Sequence, residues 1–209
     1  MSDVLIPGGR DVRGTLEEPT FSDQAGERAP NAIVVACPPH PQQGGSRSDQ
    51  RLRAVSEALI EDGIACLRFD YGPWDEGYGE REDVRNAIRW ADERYERVGV
   101  FGYSFGATLS LLATAALDPS PDAVAALAPT ARLADDLDAL EAMDGLEPPT
   151  HVLYGERDTT AEWKPVVECA RERGDETTAL AGDHFFVGAQ DDIASTVASF
   201  FMRTLLEST

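Results

Sequence analysis

Residues 98 to 112, Val-Gly-Val-Phe-Gly-Tyr-Ser-Phe-Gly-Ala-Thr-Leu-Ser-Leu-Leu, constrain this chain more than any other stretch. They open as a short apolar strand, bend at Gly102-Tyr-Ser-Phe-Gly106 and continue as an apolar helix. A G-x-S-x-G pattern between a strand and a helix makes a tight elbow that lifts one serine hydroxyl above the end of a sheet. Gly102 and Gly106 are glycines because strand and helix approach so closely that a Cβ at either position would clash. The helix after Ser104 turns unpaired N–H groups toward the hydroxyl, ready for an oxyanion. Ser104 is the candidate nucleophile; the alternative is a plain glycine-flanked turn.

Around this elbow, strand and helix patterns alternate. Residues 2 to 17 predict a β-hairpin at a sheet edge, turning at Pro7-Gly-Gly9. Residues 22 to 31 read as a loop, and Ala32–Cys37 as a strand buried on both faces of a parallel sheet. Further strands are expected at 64–70, 123–128, 150–154 and 177–180. Asp49 caps a helix with Leu52, Val55, Leu59 and Ile60 on its core face, and Gly63 ends it. Other helices carry Val84, Ala87, Ile88 and Ala91, then Trp163, Val166, Val167 and Ala170, and finally Ile193, Val197, Phe200 and Phe201. Residues 131 to 143 predict a short acidic helix with Leu133, Leu137 and Leu140 on one side. The 209 residues suit a single domain spanning 1–209. The class is α/β: a mostly parallel, doubly wound sheet with helices on both faces. Ligands of such sheets bind beyond the carboxyl ends of the strands. Ser104, Asp158, His184 and the loops 38–45 and 71–78 all follow strand ends.

Composition narrows the partners. The formal charge is −20, and the eighteen basic residues include one lysine, Lys164. Such a surface repels nucleic acid and anionic membranes, so neither is an expected partner. It resembles the composition of cytoplasmic proteins from extreme halophiles; an acidic mesophilic protein is the alternative. The N-terminus lacks the basic and apolar regions of a signal peptide, and the apolar run 106–117 is too short to span a bilayer. Cys37, Cys66 and Cys169 form no C-x-x-C pair and read as small hydrophobes in a reducing cytoplasm. With three scattered histidines, no metal site and no cofactor are expected. Oligomeric state is not encoded legibly.

A serine hydroxyl needs a base, and the base needs a group to orient it. His184, just past the last strand, is the expected base, and Asp158, just past the preceding one, the expected orienting acid. His40 remains an alternative base, and Glu156 or Asp183 alternative acids. His151 opens its strand at the opposite end of the sheet and reads as structural or exposed. Phe105, next after Ser104, is one expected oxyanion donor. The second should come from loop 38–45, where Pro38, Pro39 and Pro41 have no N–H and leave His40, Gln42 or Gln43. Tyr71, Trp74, Tyr103 and Phe185, with Tyr78 and Phe186, line an apolar pocket or simply pack beneath the loops.

Order of elements, elbow, acid and histidine together resemble the α/β-hydrolase fold over nearly the whole chain. Pro39-His-Pro-x-x-Gly-Gly45, Leu67-Arg-Phe-Asp70, Gly102-Tyr-Ser-Phe-Gly106, Gly155-x-x-Asp158 and Asp183-His-Phe-Phe186 are similar to small, capless hydrolases related to dienelactone hydrolases. The order Ser104, Asp158, His184 is the one those folds use. The resemblance implies a serine hydrolase that cleaves a small-molecule ester or related acyl bond through an acyl-enzyme. It also points to the Gln42 backbone as second oxyanion donor. Dienelactone hydrolases proper carry cysteine where this chain has Ser104, so their substrate does not transfer. Tyr71-Gly-Pro-Trp74 replaces the usual Arg-Gly-x-Gly loop, which implies a different pocket wall. Acyl transfer or peptide cleavage by the same residues, and a non-catalytic binding protein on this scaffold, are the alternatives. Where caps are inserted in this fold, residues 131–149 are short and acidic, implying an open site that disfavours anions.

Overall fold

The computed structural model describes residues 1–20 and 30–207, so the loop expected at 22–31 lies outside the described residues except at its end. In chain order the elements are β1 (Ser2–Ile6), β2 (Val12–Glu17), β3 (Ala32–Cys37), α1 (Gln50–Glu61), β4 (Ala65–Asp70), α2 (Tyr78–Asp92), β5 (Arg97–Tyr103) and α3 (Phe105–Ala115). Then come β6 (Ala123–Leu127), β7 (Arg132–Ala134), β8 (Leu137–Asp138), α4 (Ala139–Asp144), β9 (Thr150–Gly155), α5 (Lys164–Arg173), β10 (Glu176–Leu180) and α6 (Gln190–Phe201).

Eight strands form one sheet in the order β1-β2-β4-β3-β5-β6-β9-β10. The pairs β1/β2 and β2/β4 are antiparallel, and every later pair is parallel. This is the mostly parallel, doubly wound sheet that the sequence predicts, with the opening hairpin at its edge. Side-chain alternation splits β3 between two layers. Val34 and Ala36 pack with α1 and α6 through Leu52, Val55, Val197 and Phe201. Ile33, Val35 and Cys37 pack with α2 and α3 through Val84, Ile88 and Leu109. Helices α3, α4 and α5 continue that second face over β6 and β9.

Local chemistry explains the element ends. Asp49 accepts the N–H of Arg51 at 2.9 Å and caps α1, whose inner face buries Leu52, Val55, Ser56 and Leu59, with Ile60 half-buried. The buried Ser56 hydroxyl donates to Glu17 Oε2 at 2.5 Å, and Arg68 grips the same carboxylate at 2.7 Å. Among the described residues no helix is long and apolar enough to cross a membrane.

The segment 131–143 departs from the expected helix. Its first half is the small antiparallel pair β7/β8, turning at Asp135-Asp136, and only 139–144 is helical. Asp138 decides this: its carboxylate pairs with Arg132 across the turn and accepts the N–H groups of Leu140 and Glu141, starting α4 there. The three leucines therefore do not share a face. Leu133 and Leu137 pack toward α2 and α3, while Leu140 packs with α4 and α5.

Candidate active site

The elbow holds Ser104 at φ 56° and ψ −116°, a conformation that an L-residue rarely adopts. Its neighbours show why the bend needs glycine. A Cβ on Gly102 would stand 2.2 Å from Gly106 O, and one on Gly106 would stand 2.4 Å from Cys37 O. The Ser104 N–H donates to Leu127 O at 2.8 Å, fixing the elbow to β6.

From that position Ser104 Oγ lies 2.9 Å from His184 Nε2, and His184 Nδ1 lies 2.7 Å from Asp158 Oδ2. Asp158 Oδ1 accepts the N–H groups of Thr160 and Ala161 at 2.8 and 3.0 Å, and its backbone carbonyl accepts the Trp163 indole N–H at 3.0 Å. With both carboxylate oxygens satisfied and the side chain shielded from solvent, the acid has one orientation. Arg157 N–H donates to Gly182 O at 2.9 Å, tying the Asp158 turn to the His184 loop. Gly155 permits that approach, since a Cβ there would meet Gly182 O at 2.9 Å and Asp183 O at 3.0 Å.

The alternatives are placed elsewhere. Glu156 is exposed, and Asp183 accepts the Phe185 N–H within its own turn. His151 is buried at the far end of β9, its Nε2 2.8 Å from Thr178 Oγ1 and its ring edge-on to Phe200. His40 lies beside Ser104, but its Nδ1 accepts the Gln42 N–H at 3.3 Å and its ring packs on Trp74 and Phe105. Burial holds the His40 imidazole below its ordinary pKa, against the opposing pull of Glu80.

The N–H of Gln42, the expected donor, is directed at His40 Nδ1 by the same hydrogen bond. Gln43 and Gly45 N–H groups donate to His40 O, and Gly44 N–H donates to Pro41 O. Between residues 38 and 45, and among the described residues, His40 N–H alone in this loop is left free to face a ligand. Gly45 is glycine because a Cβ would meet Pro39 O at 2.2 Å as the loop closes on itself. Phe105 is the first residue of α3, where an N–H has no partner inside the helix.

Two cavities share His40 in their walls, and Ser104 lines the first. One, of about 210 Å³, includes His40, Gly44, Arg51, Tyr103, Ser104 and Phe185 in its wall. The other, about 310 Å³, lies between the 71–78 loop and β7 and is walled by His40, Trp74, Glu76, Tyr78, Phe105 and Leu133. Trp74, Tyr103 and Phe185 thus line the site. Tyr71 does not: it sits behind Phe105, ring edge to ring face at 5.8 Å, and its hydroxyl donates to Pro38 O at 3.0 Å. Phe186 is fully packed in the core, and Tyr78 donates to Asp136 at 2.6 Å on the rim.

Sequence reasoning missed Arg51. Its Nε and Nη2 grip the Asp49 carboxylate, its Nη1 donates to Phe185 O at 2.6 Å, and its guanidinium stacks 4.3 Å above the Tyr103 ring. The Tyr103 hydroxyl donates to His184 O at 2.9 Å, and burial pushes its pKa up to about 12. The one signal was Tyr103 itself, which precedes the nucleophile.

Residues 33–177 match the family model described as X-Pro dipeptidyl-peptidase (S15 family). No curated protein matches the chain. Among solved structures, an α/β hydrolase from Agrobacterium tumefaciens, described as putative and of unknown function, superposes with TM-score 0.82 at 21% identity, covering 99% of this chain and 98% of that one. A serine hydrolase without a lid from Xanthomonas campestris gives 0.77 at 23% identity, over 100% and 96%. A dienelactone hydrolase from Anabaena variabilis gives 0.76 at 22% identity, over 98% and 97%. The fold is that of the capless α/β hydrolases.

Proposed function

The chain belongs to the X-Pro dipeptidyl-peptidase (S15) family of α/β hydrolases, and from that premise we propose that it is a serine hydrolase cleaving a small-molecule ester or related acyl bond through an acyl-enzyme. The observation that carries this is the unbroken chain of contacts from Ser104 Oγ through the His184 ring to Asp158. His184 Nε2 takes the hydroxyl proton as Ser104 Oγ bonds to the substrate carbonyl carbon. The carbonyl oxygen, now negative, receives the N–H groups of Phe105 and His40. Collapse expels the leaving oxygen, which accepts the proton from His184. Water, deprotonated by the same imidazole, then releases the acid and restores Ser104.

Asp158 supplies orientation and charge. Its carboxylate accepts a hydrogen bond from His184 Nδ1–H, which leaves Nε2 as the proton acceptor, and it stabilises the imidazolium formed during attack. A scaffold retained only for binding has no need of this geometry, nor of the strained Ser104 backbone. The reading includes a cytoplasmic setting, because buried Cys37 and Cys66, whose pKa burial raises to about 12, are unpaired thiols.

The family description favours a second reading, release of an Xaa-Pro dipeptide by the same residues. Turnover of p-nitrophenyl butyrate and of Ala-Pro-p-nitroanilide separates the two. The ester should turn over, and Ser104→Ala or His184→Ala should lower kcat by roughly 10³-fold or more. Near-wild-type turnover by the His184→Ala protein would overturn the assignment, and turnover of the anilide alone would select the peptidase reading.

A further inference from the structure

The loop that carries His184 is anchored by Phe186, packed in the core, and by turn hydrogen bonds from the Phe185 and Phe186 N–H groups to Asp183, while the rest of it faces solvent. Phe185 is 58% exposed, Val187 is 88% exposed, and Phe186 stands at φ 48°, a strained value for an aromatic residue. Two side chains from other elements hold it from outside. Tyr103 OH donates to the carbonyl of His184, and Arg51 Nη1 donates to the carbonyl of Phe185, the next peptide along. Arg51 reaches across from the first turn of α1, where Asp49 fixes the planar fork through two of its nitrogens. The stacked contact at 4.3 Å joins the two holders into one unit. Tyr103 also precedes Ser104 in the chain, so one residue is peptide-bonded to the nucleophile and reaches the base's backbone with its side chain.

We infer that Arg51 is a positioning residue for the hydrolytic reaction: with Tyr103 and Asp49 it clamps consecutive carbonyls of the 184–185 segment and sets His184 Nε2 at hydrogen-bond distance from Ser104. This rests on the hydrolase reading given above. The pairing with Asp49 offsets the guanidinium charge, and one N–H on each of its three nitrogens is bound to protein, which orients the side chain toward the loop even though it borders the cavity. Removing it frees the base loop to drift, and a misplacement of about 1 Å can cost on the order of 10²-fold in rate.

The test uses the full-length chain and four variants, Arg51→Met, Arg51→Lys, Tyr103→Phe and the Arg51→Met/Tyr103→Phe pair. Three readouts apply: kcat and KM on a neutral p-nitrophenyl ester, the same on its carboxylate-bearing analogue, and the rate of Ser104 labelling by a fluorophosphonate. Arg51→Met should lower kcat and the labelling rate together, by roughly 10- to 100-fold, with KM changed less than about threefold. Arg51→Lys should not restore the rate, because an ammonium cannot hold the Asp49 carboxylate and the Phe185 carbonyl in one plane. Tyr103→Phe keeps the ring and deletes one hydrogen bond, so it stays folded and should cost less. The pair should lose less than the product of the singles, as members of one unit do.

A loss confined to the carboxylate-bearing ester would overturn the inference and make Arg51 a substrate contact. Full labelling and turnover in Arg51→Met, with Ser104→Ala and His184→Ala inactive, would also overturn it while the hydrolase reading stands. If Ser104→Ala and His184→Ala remain active as well, the hydrolase reading itself has failed.

Discussion

His184 Nδ1 and Asp158 Oδ2 stand 2.7 Å apart, and the other oxygen of the same carboxylate is held by two backbone N–H groups. The acid is therefore fixed before any substrate arrives, and in the proposed mechanism it sets the tautomer of His184. Asp158→Asn should keep the fold, because the amide oxygen can still accept the Thr160 and Ala161 N–H groups. The amide nitrogen then faces Nδ1 as a donor, so the imidazole proton moves to Nε2 and the base is lost. A fall in kcat of roughly 10³- to 10⁴-fold with a melting point within a few degrees of wild type is expected from ester turnover and thermal melts. A fall below tenfold would remove Asp158 from the proposed mechanism.

The second oxyanion donor can be tested at the backbone. His40 has φ −57°, near the value that a proline ring imposes, so His40→Pro removes the N–H with little change in chain direction. His40→Ala removes the imidazole and keeps the N–H. The proline variant should lose roughly 10²- to 10³-fold in kcat beyond the alanine variant. Equal activities would return the role to another group. In a phosphonate adduct the adduct oxygen should sit about 3 Å from His40 N.

Most of this architecture is legible along the chain because the parallel strands are continuous apolar runs and the helices carry one apolar face. Ser104, Asp158 and His184 are legible because each follows a strand end, in the chain order that such a sheet brings to one edge. What is not legible depends on approaches between distant segments. Gly155 reads as a turn residue, yet its lack of a Cβ lets the Asp158 turn pack onto Gly182 and Asp183. Arg51 looks like one charge among many on α1 until the fold brings it to Phe185, 134 positions along. The 131–143 segment misleads because three leucines at helical spacing outweigh, on periodicity, the single Asp138 that caps α4 and pairs with Arg132. Nor can sequence show that the Gln42 N–H turns onto the imidazole of His40.

Stability should fall on mild acidification, and His151 is one cause. Burial holds its pKa below the ordinary 6.5, assisted by Arg203 and opposed by Glu176. In the unfolded chain the imidazole takes up its proton near pH 6.5, while the folded state resists until lower pH. Between those values the unfolded state binds more protons, so stability rises with pH and declines as pH drops below about 6.5. Glu17 adds a second, lower window. Burial would raise its pKa, but the Ser56 hydroxyl and Arg68 outweigh that and hold it below 4.5, so its contribution is lost as pH falls below that value. Thermal melts from pH 8 to about pH 3 should decline in both steps, and His151→Gln should flatten the upper one. An unchanged upper step in that variant assigns it to another group.

Salt should stabilise the protein up to the molar range. The net charge of −20 on 209 residues leaves twenty more carboxylates than basic groups to balance them. At about 0.1 M salt the screening length is still roughly 10 Å, so neighbouring charges repel; at about 1 M it is roughly 3 Å, and the repulsion is largely gone. Salt also weakens the exposed ion pairs, such as Arg203 with Glu176 and Arg13 with Asp11. Pairs of that kind contribute about 0 to 1 kcal/mol each, so their loss is the smaller effect when acids outnumber bases by 38 to 18. The shielded contact between His184 and Asp158 is screened far less than either. The melting midpoint should therefore climb between about 0.1 and about 2 M KCl, the range over which screening changes several-fold. A midpoint that stays level or drops over that range means that the acids serve solubility alone and that the fold does not require high salt. The proposed chemistry of Ser104 would be untouched by that result, because nothing in its geometry depends on the surface charge.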